Sequence, residues 1–245
     1  MDTRNDTILI TGGGSGIGKA MAGALHARGA KVIIAGRRRE PLEAVAAAHP
    51  GMALETLDVA DPASIKTFAA RVIETHPDLN VLINNAGIMV AEDGIDLAVA
   101  EQTIAINLLG PIRLTAALLP HLKRQASATV VTVSSGLAFV PLAATPTYSA
   151  TKAAIHSWSQ SLRHQLKDTS VEVVEWAPPA VATDLMPGHA DNPNSMPLAA
   201  FTAESLALFE AGGHDQILVE RVKFLSGAEA RGEYGKVFEA LNGAH

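Results

Sequence analysis

Tyr148 and Lys152 are the two residues whose types and spacing most directly suggest chemistry. On a helix, residues four apart lie on one face, one turn above the other. An ammonium held near a phenol favours the phenolate, so the spacing predicts a tyrosine pKa below its ordinary value of about 10. Such a tyrosine can exchange a proton near neutral pH. By itself such a pair is more often a chance pair on a helix surface. The catalytic interpretation depends on the other candidate residues described next.

Two further polar residues precede the tyrosine in apolar surroundings. Ser135 lies thirteen residues before Tyr148, directly after a strand-like run at 128–134. Asn107 lies among four apolar residues, and a buried asparagine needs hydrogen-bond partners. It either satisfies a helix irregularity caused by Pro111 or places a water or a lysine for a proton relay.

Composition excludes several classes of function. The chain has 245 residues, a formal charge of −6, no cysteine and 48% hydrophobic residues. The charge and the lack of a basic tract argue against a nucleic-acid partner. No apolar run reaches the roughly 18 residues of a membrane helix, and the polar N-terminus does not resemble a secretory signal. The nine histidines show no metal-ligand spacing. We therefore expect a cytoplasmic protein with no membrane partner and no metal site.

A glycine-rich turn near the N-terminus is the second candidate for chemistry. The β-branched run Thr7–Thr11 leads into Thr-Gly-Gly-Gly-Ser-Gly-Ile-Gly at 11–18, and a helical pattern follows at 19–28. Strand, glycine turn and helix together are the context of a dinucleotide-binding fingerprint. Glycine lets the backbone approach a pyrophosphate, and the helix N-terminus offers free N–H groups. A plain flexible turn is the alternative.

The residues after the second predicted strand, at 31–35, bear on which dinucleotide would bind. A ribose with a free 2′-hydroxyl is usually held by a carboxylate at this point, but the chain has Gly36, Arg37 and Arg38 there. A guanidinium pairs with a 2′-phosphate, often through two hydrogen bonds. The sequence therefore favours NADP(H), with NAD(H) possible. Arg39 is interpreted as a solvated residue, and the same alternative stays open for Arg37 and Arg38.

The remaining chain alternates strands and helices, which predicts one α/β domain over 1–245. The predicted strands are at 52–58, 81–83, 129–133, 171–177 and 216–225, and the predicted helices are at 40–49, 63–76, 98–126 (with a break at 110–111), 201–211 and 228–241. A further helix carries Tyr148. An aperiodic segment at about 184–200 is interpreted as a substrate flap. His121, His156 and His164 are interpreted as helix-surface residues.

Taken in order, these motifs resemble the short-chain dehydrogenase/reductase family in its single-domain form. The matching set is the turn at 11–18, Asn84-Asn85-Ala86-Gly87, Asn107, Ser135, Tyr148-x-x-x-Lys152 and a segment from Pro178 to Thr183. Within the family, the chain looks most like the bacterial DltE-like oxidoreductases. The resemblance implies a Rossmann-type doubly wound parallel sheet with helices on both faces. It also implies hydride transfer between NADP(H) and a carbonyl or alcohol substrate.

The resemblance also implies roles for individual residues. Tyr148 would be the general acid or base, Lys152 would tune it and hold the nicotinamide ribose, and Ser135 would bond the substrate oxygen. Asn107 would anchor a water. The coenzyme contacts implied are Gly12, Ser15, Gly16, Ile17 and Gly18 at the pyrophosphate, Asp58 and Val59 at the adenine, Asn85 and Gly87 along the ribose, and Pro178, Val181 and Thr183 at the nicotinamide end.

Two departures from the family pattern bear on these expectations. Pro178-Pro179 replaces the usual Pro-Gly, which fixes φ, removes an N–H and makes a cis bond possible. The C-terminal end lacks the usual glycine-ending last strand, which favours a homodimer, with a tetramer possible. Six apolar residues suggest an apolar pocket under the flap: Leu137, Phe139, Val140, Leu142, Met186 and Met196. A protein that binds NADP(H) as a sensor without catalysis is the alternative function.

Overall fold

The computed structural model describes residues 1–243, and its centre is one sheet of seven parallel strands. The strands are β1 (Thr7–Thr11), β2 (Lys31–Gly36), β3 (Ala53–Thr56), β4 (Val81–Asn84), β5 (Ala128–Val133), β6 (Val171–Trp176) and β7 (Gln216–Ile217). Their order is β3-β2-β1-β4-β5-β6-β7. The sequence order therefore reverses between β1 and β4, and at such a point the carboxyl ends of the strands leave a crevice for a ligand.

Helices cover both faces of the sheet. They are α1 (Gly16–His26), α2 (Arg39–Ala48), α3 (Pro62–Thr75), α4 (Leu97–Ile104), α5 (Gly110–Leu122), α6 (Pro146–Leu166), α7 (Leu198–Ala211), α8 (Lys223–Ser226) and α9 (Tyr234–Asn242). On β1, Ile8 and Ile10 join the core under α1, α2 and α7, whereas Leu9 joins the core under α3, α5 and α6. This alternation follows from the two-residue period of a strand. The predicted doubly wound sheet is confirmed.

The long helical region differs in detail from its prediction. A π-helical stretch, Ala105–Leu109, separates α4 from α5, and the Gly110 N–H bonds to the carbonyl oxygen of Ala105, five residues back. Pro111, in the first turn of α5, has no N–H to offer the carbonyl of Asn107. The irregularity therefore lies just before the predicted break at 110–111, because the missing donor leaves the preceding turn free to widen.

The same helical region is also more apolar than we expected. The run Leu97–Leu122 is long and apolar enough, by length and composition alone, to cross a membrane. The expectation that no apolar stretch is long enough for a membrane helix is therefore wrong. Leu114, Leu118 and Leu122 are fully buried against the sheet, so this stretch packs as the core helix of the fold.

The C-terminal elements correct three predictions. The last strand, Gln216–Ile217, is much shorter than 216–225, because a 3₁₀ turn and α8 follow and place Val222 and Leu225 against Gly136. The terminal helix α9 begins six residues after the predicted 228, and Gly232 with φ +68° lies just before it. The aperiodic segment ends earlier than predicted, since a bridge pairs Val181 with Met196 and α7 begins at Leu198.

Candidate active site

The glycine turn is packed so closely against its neighbours that side chains are excluded at Gly12, Gly13 and Gly18. A Cβ on Gly18 would lie 2.4 Å from the carbonyl oxygen of Gly12 and 2.5 Å from Nδ2 of Asn85. Gly12 has φ +70° and a Cβ there would lie 2.8 Å from the same Nδ2. The turn delivers the chain into α1, which begins at Gly16. Its free N–H groups therefore face the crevice at the end of β1.

Asn85 supports this turn from the neighbouring strand. Its Nδ2 donates to the carbonyl oxygen of Thr11 at 2.8 Å, and its backbone N–H donates to the Thr11 hydroxyl at 3.0 Å. The Thr11 hydroxyl also accepts from the Ala86 N–H at 3.0 Å. The ends of β1 and β4 are thus joined by three hydrogen bonds. The Asn85 side-chain amide therefore connects the ends of β1 and β4. Its contact with a coenzyme ribose stays a prediction.

A groove runs along the carboxyl ends of the first four strands. Its lining residues are Thr11, Gly12, Ala35, Gly36, Arg37, Leu57, Asp58, Val59, Ala86, Gly87, Ile88 and Ile106. Five predicted coenzyme residues, Gly12, Arg37, Asp58, Val59 and Gly87, therefore meet in one groove. Asp58 uses one carboxylate oxygen to accept from the Ala60 N–H at 2.9 Å, which fixes the loop after β3.

The three arginines after β2 lie in different surroundings. Arg37 lines the groove, whereas Arg38 is exposed at the N-cap of α2. Arg39 donates to Glu43 at 2.7 Å, one turn along α2, so the solvated interpretation holds for it. Among the described residues, no side-chain hydrogen bond engages Arg37. Of the three, Arg37 is the one placed to meet an anion in the groove.

The second cluster of predicted residues lies where the groove meets α6. Tyr148 and Lys152 are 7% and 4% exposed, and Ser135, which follows β5, is 8% exposed. The Ser135 hydroxyl lies close enough to the Tyr148 hydroxyl to favour its ionised form, and Ser135 Oγ accepts from the Leu137 N–H at 3.1 Å. Lys152 Nζ lies 5.5 Å from the centre of the Tyr148 ring and donates to the carbonyl oxygen of Val133 at 2.8 Å. Residues from separate parts of the sequence thus meet where β5 ends and α6 begins.

Burial sets the acidity of this pair. It raises the pKa of Tyr148 to about 12, although the nearby Ser135 hydroxyl acts in the opposite direction. Burial also lowers the pKa of Lys152 to about 8. The expectation that Lys152 brings the tyrosine pKa below its ordinary value is wrong in this structure. The cause is desolvation of the phenolate, which outweighs the opposing influence of Ser135.

Asn107 links the cluster to the groove. Its Oδ1 accepts from the Ile88 N–H at 2.9 Å and its Nδ2 donates to the Ile88 carbonyl at 2.8 Å. A Cβ on Gly87 would lie 3.3 Å from that Oδ1 and 3.8 Å from Lys152 Nζ. Asn107 therefore satisfies the loop after β4 from within the π-helical stretch. Its predicted water stays a prediction.

The segment after β6 packs against the loop after β5 and approaches the glycine turn. The Pro178 carbonyl accepts from the Gly136 N–H at 2.8 Å, and the described chain contains no cis peptide bond, so Pro178-Pro179 is trans. The Ala182 N–H donates to Met196 at 2.9 Å, beside the bridge to Val181. Thr183 lies 3.6 Å from the position of a Cβ on Gly16, which brings this segment to the glycine turn.

These surroundings fit a dinucleotide coenzyme. The glycine turn has no room for side chains, the helix N-terminus faces the crevice, and Arg37 and Asp58 lie on the groove wall. The turn residues Gly12, Ser15, Gly16, Ile17 and Gly18 would hold a pyrophosphate, and Lys152 would be within reach of the loop that carries Gly87. Arg38, exposed on α2, is less well placed than Arg37.

The sequence did not predict a polar cluster around the buried Glu175, which bonds to Ser134, next to Ser135. His156 is only half-buried but forms an ion pair with Glu175, whose side chain is 0% exposed. The only signal was the position of His156, one turn after Lys152. His121 is also buried, and its Nε2 lies 3.0 Å from the carbonyl oxygen of Leu79. The prediction that these two histidines lie on helix surfaces is therefore wrong, whereas His164 is exposed as predicted.

Comparison with known proteins gives a consistent result. The family described as short chain dehydrogenase matches residues 6–194. The uncharacterized oxidoreductase DltE of Bacillus subtilis (strain 168) is 41% identical over 249 residues, which cover 99% of this chain and 98% of that protein.

Two solved structures match the fold over almost its full length. A short chain dehydrogenase from Burkholderia cenocepacia J2315 in complex with NADP has a TM-score of 0.85 at 25% identity, covering 98% of this chain and 99% of that one. A short-chain dehydrogenase from Sphingobium yanoikuyae in complex with NADPH has a TM-score of 0.80 at 26% identity, covering 93% and 94%. Motifs, fold and relatives agree, and the chain belongs to the short-chain dehydrogenase family of oxidoreductases.

Proposed function

We propose that this protein is an NADP(H)-dependent oxidoreductase of carbonyl and alcohol compounds, with Tyr148 as the general acid or base. The observation that carries the proposal is that Ser135, Tyr148 and Lys152 are buried together, with Lys152 Nζ 5.5 Å from the centre of the Tyr148 ring. These groups lie at the end of a groove whose glycine turn excludes side chains. A proton donor and a hydrogen-bond donor next to a coenzyme groove are what carbonyl reduction requires.

The preference for NADP(H) rests on Arg37. It lines the groove after Gly36, where a carboxylate would otherwise select a free 2′-hydroxyl. The relatives solved with NADP and NADPH support the same choice. The bound coenzyme would supply the hydride, and the protein would supply position and charge.

The residues at the end of the groove would each act on the substrate oxygen or its proton. With a pKa of about 12, Tyr148 keeps its proton on the phenol oxygen at neutral pH, which suits an acid in carbonyl reduction. Ser135 would donate a second hydrogen bond to that oxygen. Lys152, held by the Val133 carbonyl, would present positive charge below its pKa of about 8.

We propose that the segment at 184–197 is the substrate flap, in a single domain spanning the chain. Met196 anchors its end through the bridge to Val181. Val140 is fully buried against Ala228 and Val237, so it belongs to a small core and does not line the predicted pocket. The partly buried residues Leu137, Phe139, Leu142 and Met186 would line that pocket and favour an apolar carbonyl compound.

Assembly and location are part of the proposal. Exposed apolar residues around α4, including Ile95, Leu97 and Ile104, are 93%, 69% and 39% exposed. They favour a homodimer through the long apolar helices, with a tetramer possible. A cysteine-free chain is compatible with the cytoplasm, which we propose as its location.

A substrate panel tests the proposed function. Ketones, diketones, sugars and steroids are incubated with the protein and NADPH or NADH, and the loss of absorbance of the reduced coenzyme is followed. We expect at least one apolar carbonyl compound to be reduced, faster with NADPH at low coenzyme concentration. Tight NADPH binding with no turnover of any compound would contradict the proposed enzyme activity. It would favour the alternative, a protein that binds NADP(H) as a sensor without catalysis.

A further inference from the structure

Glu175 is a buried carboxylate close to the candidate catalytic residues, yet the proposed reaction gives it no part. It is the second-last residue of β6 and its side chain is 0% exposed. A buried carboxylate is strongly destabilising unless it is paired and hydrogen-bonded. The partners of Glu175 therefore show what holds it in place.

Three side chains from three different elements donate to this carboxylate. Ser134, at the end of β5, donates to Oε1. Oε2 lies 2.8 Å from Nδ1 of His156 on α6 and 2.8 Å from Nε2 of Gln216 on β7. Glu175 thus ties together β5, α6 and β7 around the end of its own strand.

The bond to Ser134 has a direct consequence for the neighbouring Ser135. On one side of Ser135, the Ser134 hydroxyl is bonded to Glu175; on the other side, the Gly136 N–H donates to the Pro178 carbonyl at 2.8 Å. Both acceptors belong to β6 or the residues just after it. Ser135 is therefore held to β6 from both sides.

The bond to His156 ties the same carboxylate to the catalytic helix. Tyr148, Lys152 and His156 follow one another at four-residue intervals on α6, so they share a face. The His156 ring also packs edge-on against Phe139, with centroids 4.8 Å apart, and Gln160 Nε2 lies 3.0 Å from its Nε2. One carboxylate thus fixes both the serine loop and the helix that carries the tyrosine.

We propose that Glu175 and His156 are positioning residues that hold the Ser135 hydroxyl beside the Tyr148 hydroxyl. This inference rests on the proposed function, because it concerns two groups of that reaction. Catalysis depends steeply on such placement, and a shift of about 1 Å can lower turnover by about 10²-fold.

The test uses two variants and two matched controls. Glu175→Gln removes the charge with little change of shape, and Ser134→Ala removes only the bond beside Ser135. Glu172→Gln makes the first substitution on the same strand at a side chain that is 69% exposed. Ser159→Ala removes another buried hydroxyl between α6 and β5, bonded to Thr132 at 2.6 Å, which does not flank Ser135.

Crystal structures and kinetics of all four variants are compared with the wild type. We expect the distance between the Ser135 and Tyr148 hydroxyls to grow by about 1 Å in Glu175→Gln and Ser134→Ala. We expect kcat to fall by about tenfold in both, with the KM for coenzyme nearly unchanged, since the coenzyme groove is untouched. Both controls should keep the wild-type distance between these hydroxyls and a kcat within about twofold of the wild type.

An unchanged distance between the Ser135 and Tyr148 hydroxyls in both variants would overturn the proposal, as would an equal loss of kcat in Ser159→Ala. If Glu175→Gln does not fold, Ser134→Ala alone decides between these results. The crystal structures also separate this inference from the proposed function. If the wild type reduces no carbonyl compound, the function fails, while the distance between the two hydroxyls still decides whether Glu175 positions Ser135.

Discussion

The two ends of the groove are built in different ways. At the β1–β4 end, the backbone of a close-packed glycine turn forms the surface: Gly12 and Gly18 leave no room for side chains, and Thr11 accepts hydrogen bonds from the backbone and the side-chain amide of Asn85. At the β5–β6 end, side chains form the surface, and buried bonds such as the one between Ser134 and Glu175 hold them. The glycine turn should therefore respond mainly to added volume, whereas the second end should respond mainly to the loss of individual polar atoms.

The largest effect is expected at the side-chain end. Tyr148→Phe removes the only atom assigned to proton transfer, so kcat should fall by roughly 10²–10⁴-fold. The affinity for NADPH should change little, because the backbone end is intact. Turnover on an accepted carbonyl compound and NADPH fluorescence titration measure the two quantities. Near-normal turnover would show that Tyr148 is not the acid.

The next effect tests the charge placed at the backbone end. Arg37→Ala should weaken NADPH binding by about 10- to 100-fold, which is the range of a charge-assisted hydrogen bond. NADH binding should be almost unchanged. Arg39→Ala, which removes an arginine already bonded to Glu43, serves as the matched control. Equal losses for both coenzymes in Arg37→Ala would favour a plain surface role.

A third substitution tests the volume limit of the glycine turn. Gly18→Ala places a methyl group 2.4 Å from a backbone oxygen, and such overpacking should destabilise the fold by about 1–3 kcal/mol. Gly235→Ala on α9 is the control, because nothing lies within 4 Å of its Cβ position. Urea unfolding measures both changes. A Gly18→Ala protein as stable as the wild type would show that the turn can accommodate a methyl group at this position.

The smallest effect is a dependence of stability on pH at the side-chain end. Glu175 holds the pKa of His156 above its ordinary 6.5, against burial and the charge of Arg163. Burial would raise the pKa of Glu175, but hydrogen bonds from His156, Ser134 and Gln216 outweigh it and hold that pKa below 4.5.

The sign of this effect follows from the two shifts. The histidine contribution is complete below its ordinary pKa and is lost as the pH rises through the raised value. The glutamate contribution is complete above its ordinary pKa and is lost as the pH falls through the lowered value. The stability difference between wild type and His156→Gln should therefore be largest between pH 4.5 and 6.5. Urea unfolding across pH measures it, with the exposed His164→Gln as control; a flat difference would contradict the pairing.

The contrast between the two ends also explains which features the sequence predicts. The glycine turn is a local backbone requirement within a few residues, so the sequence predicts strand, turn and helix together. Tyr148 and Lys152 share one helix, and the sequence also predicts that they lie on one face. The sequence does not predict the pKa of Tyr148, because that pKa depends on burial by residues from other elements. Glu175 and His156 are 19 residues apart in the chain, and no local pattern joins them. The apolar alternation at 216–225 predicts a strand, but packing of Leu225 against Gly136 prevails.

Transfer of deuterium from labelled coenzyme tests the central claim most directly. NADPH carrying deuterium on one face of C4, or on the other, is supplied in separate reactions with the wild-type protein and an accepted carbonyl compound, and the alcohol product is analysed by mass spectrometry. We expect one deuterium on the former carbonyl carbon with one of the two labelled coenzymes and none with the other, since the hydride leaves from one face of the nicotinamide. A protein that binds NADPH but forms no labelled alcohol from any carbonyl compound would contradict the account.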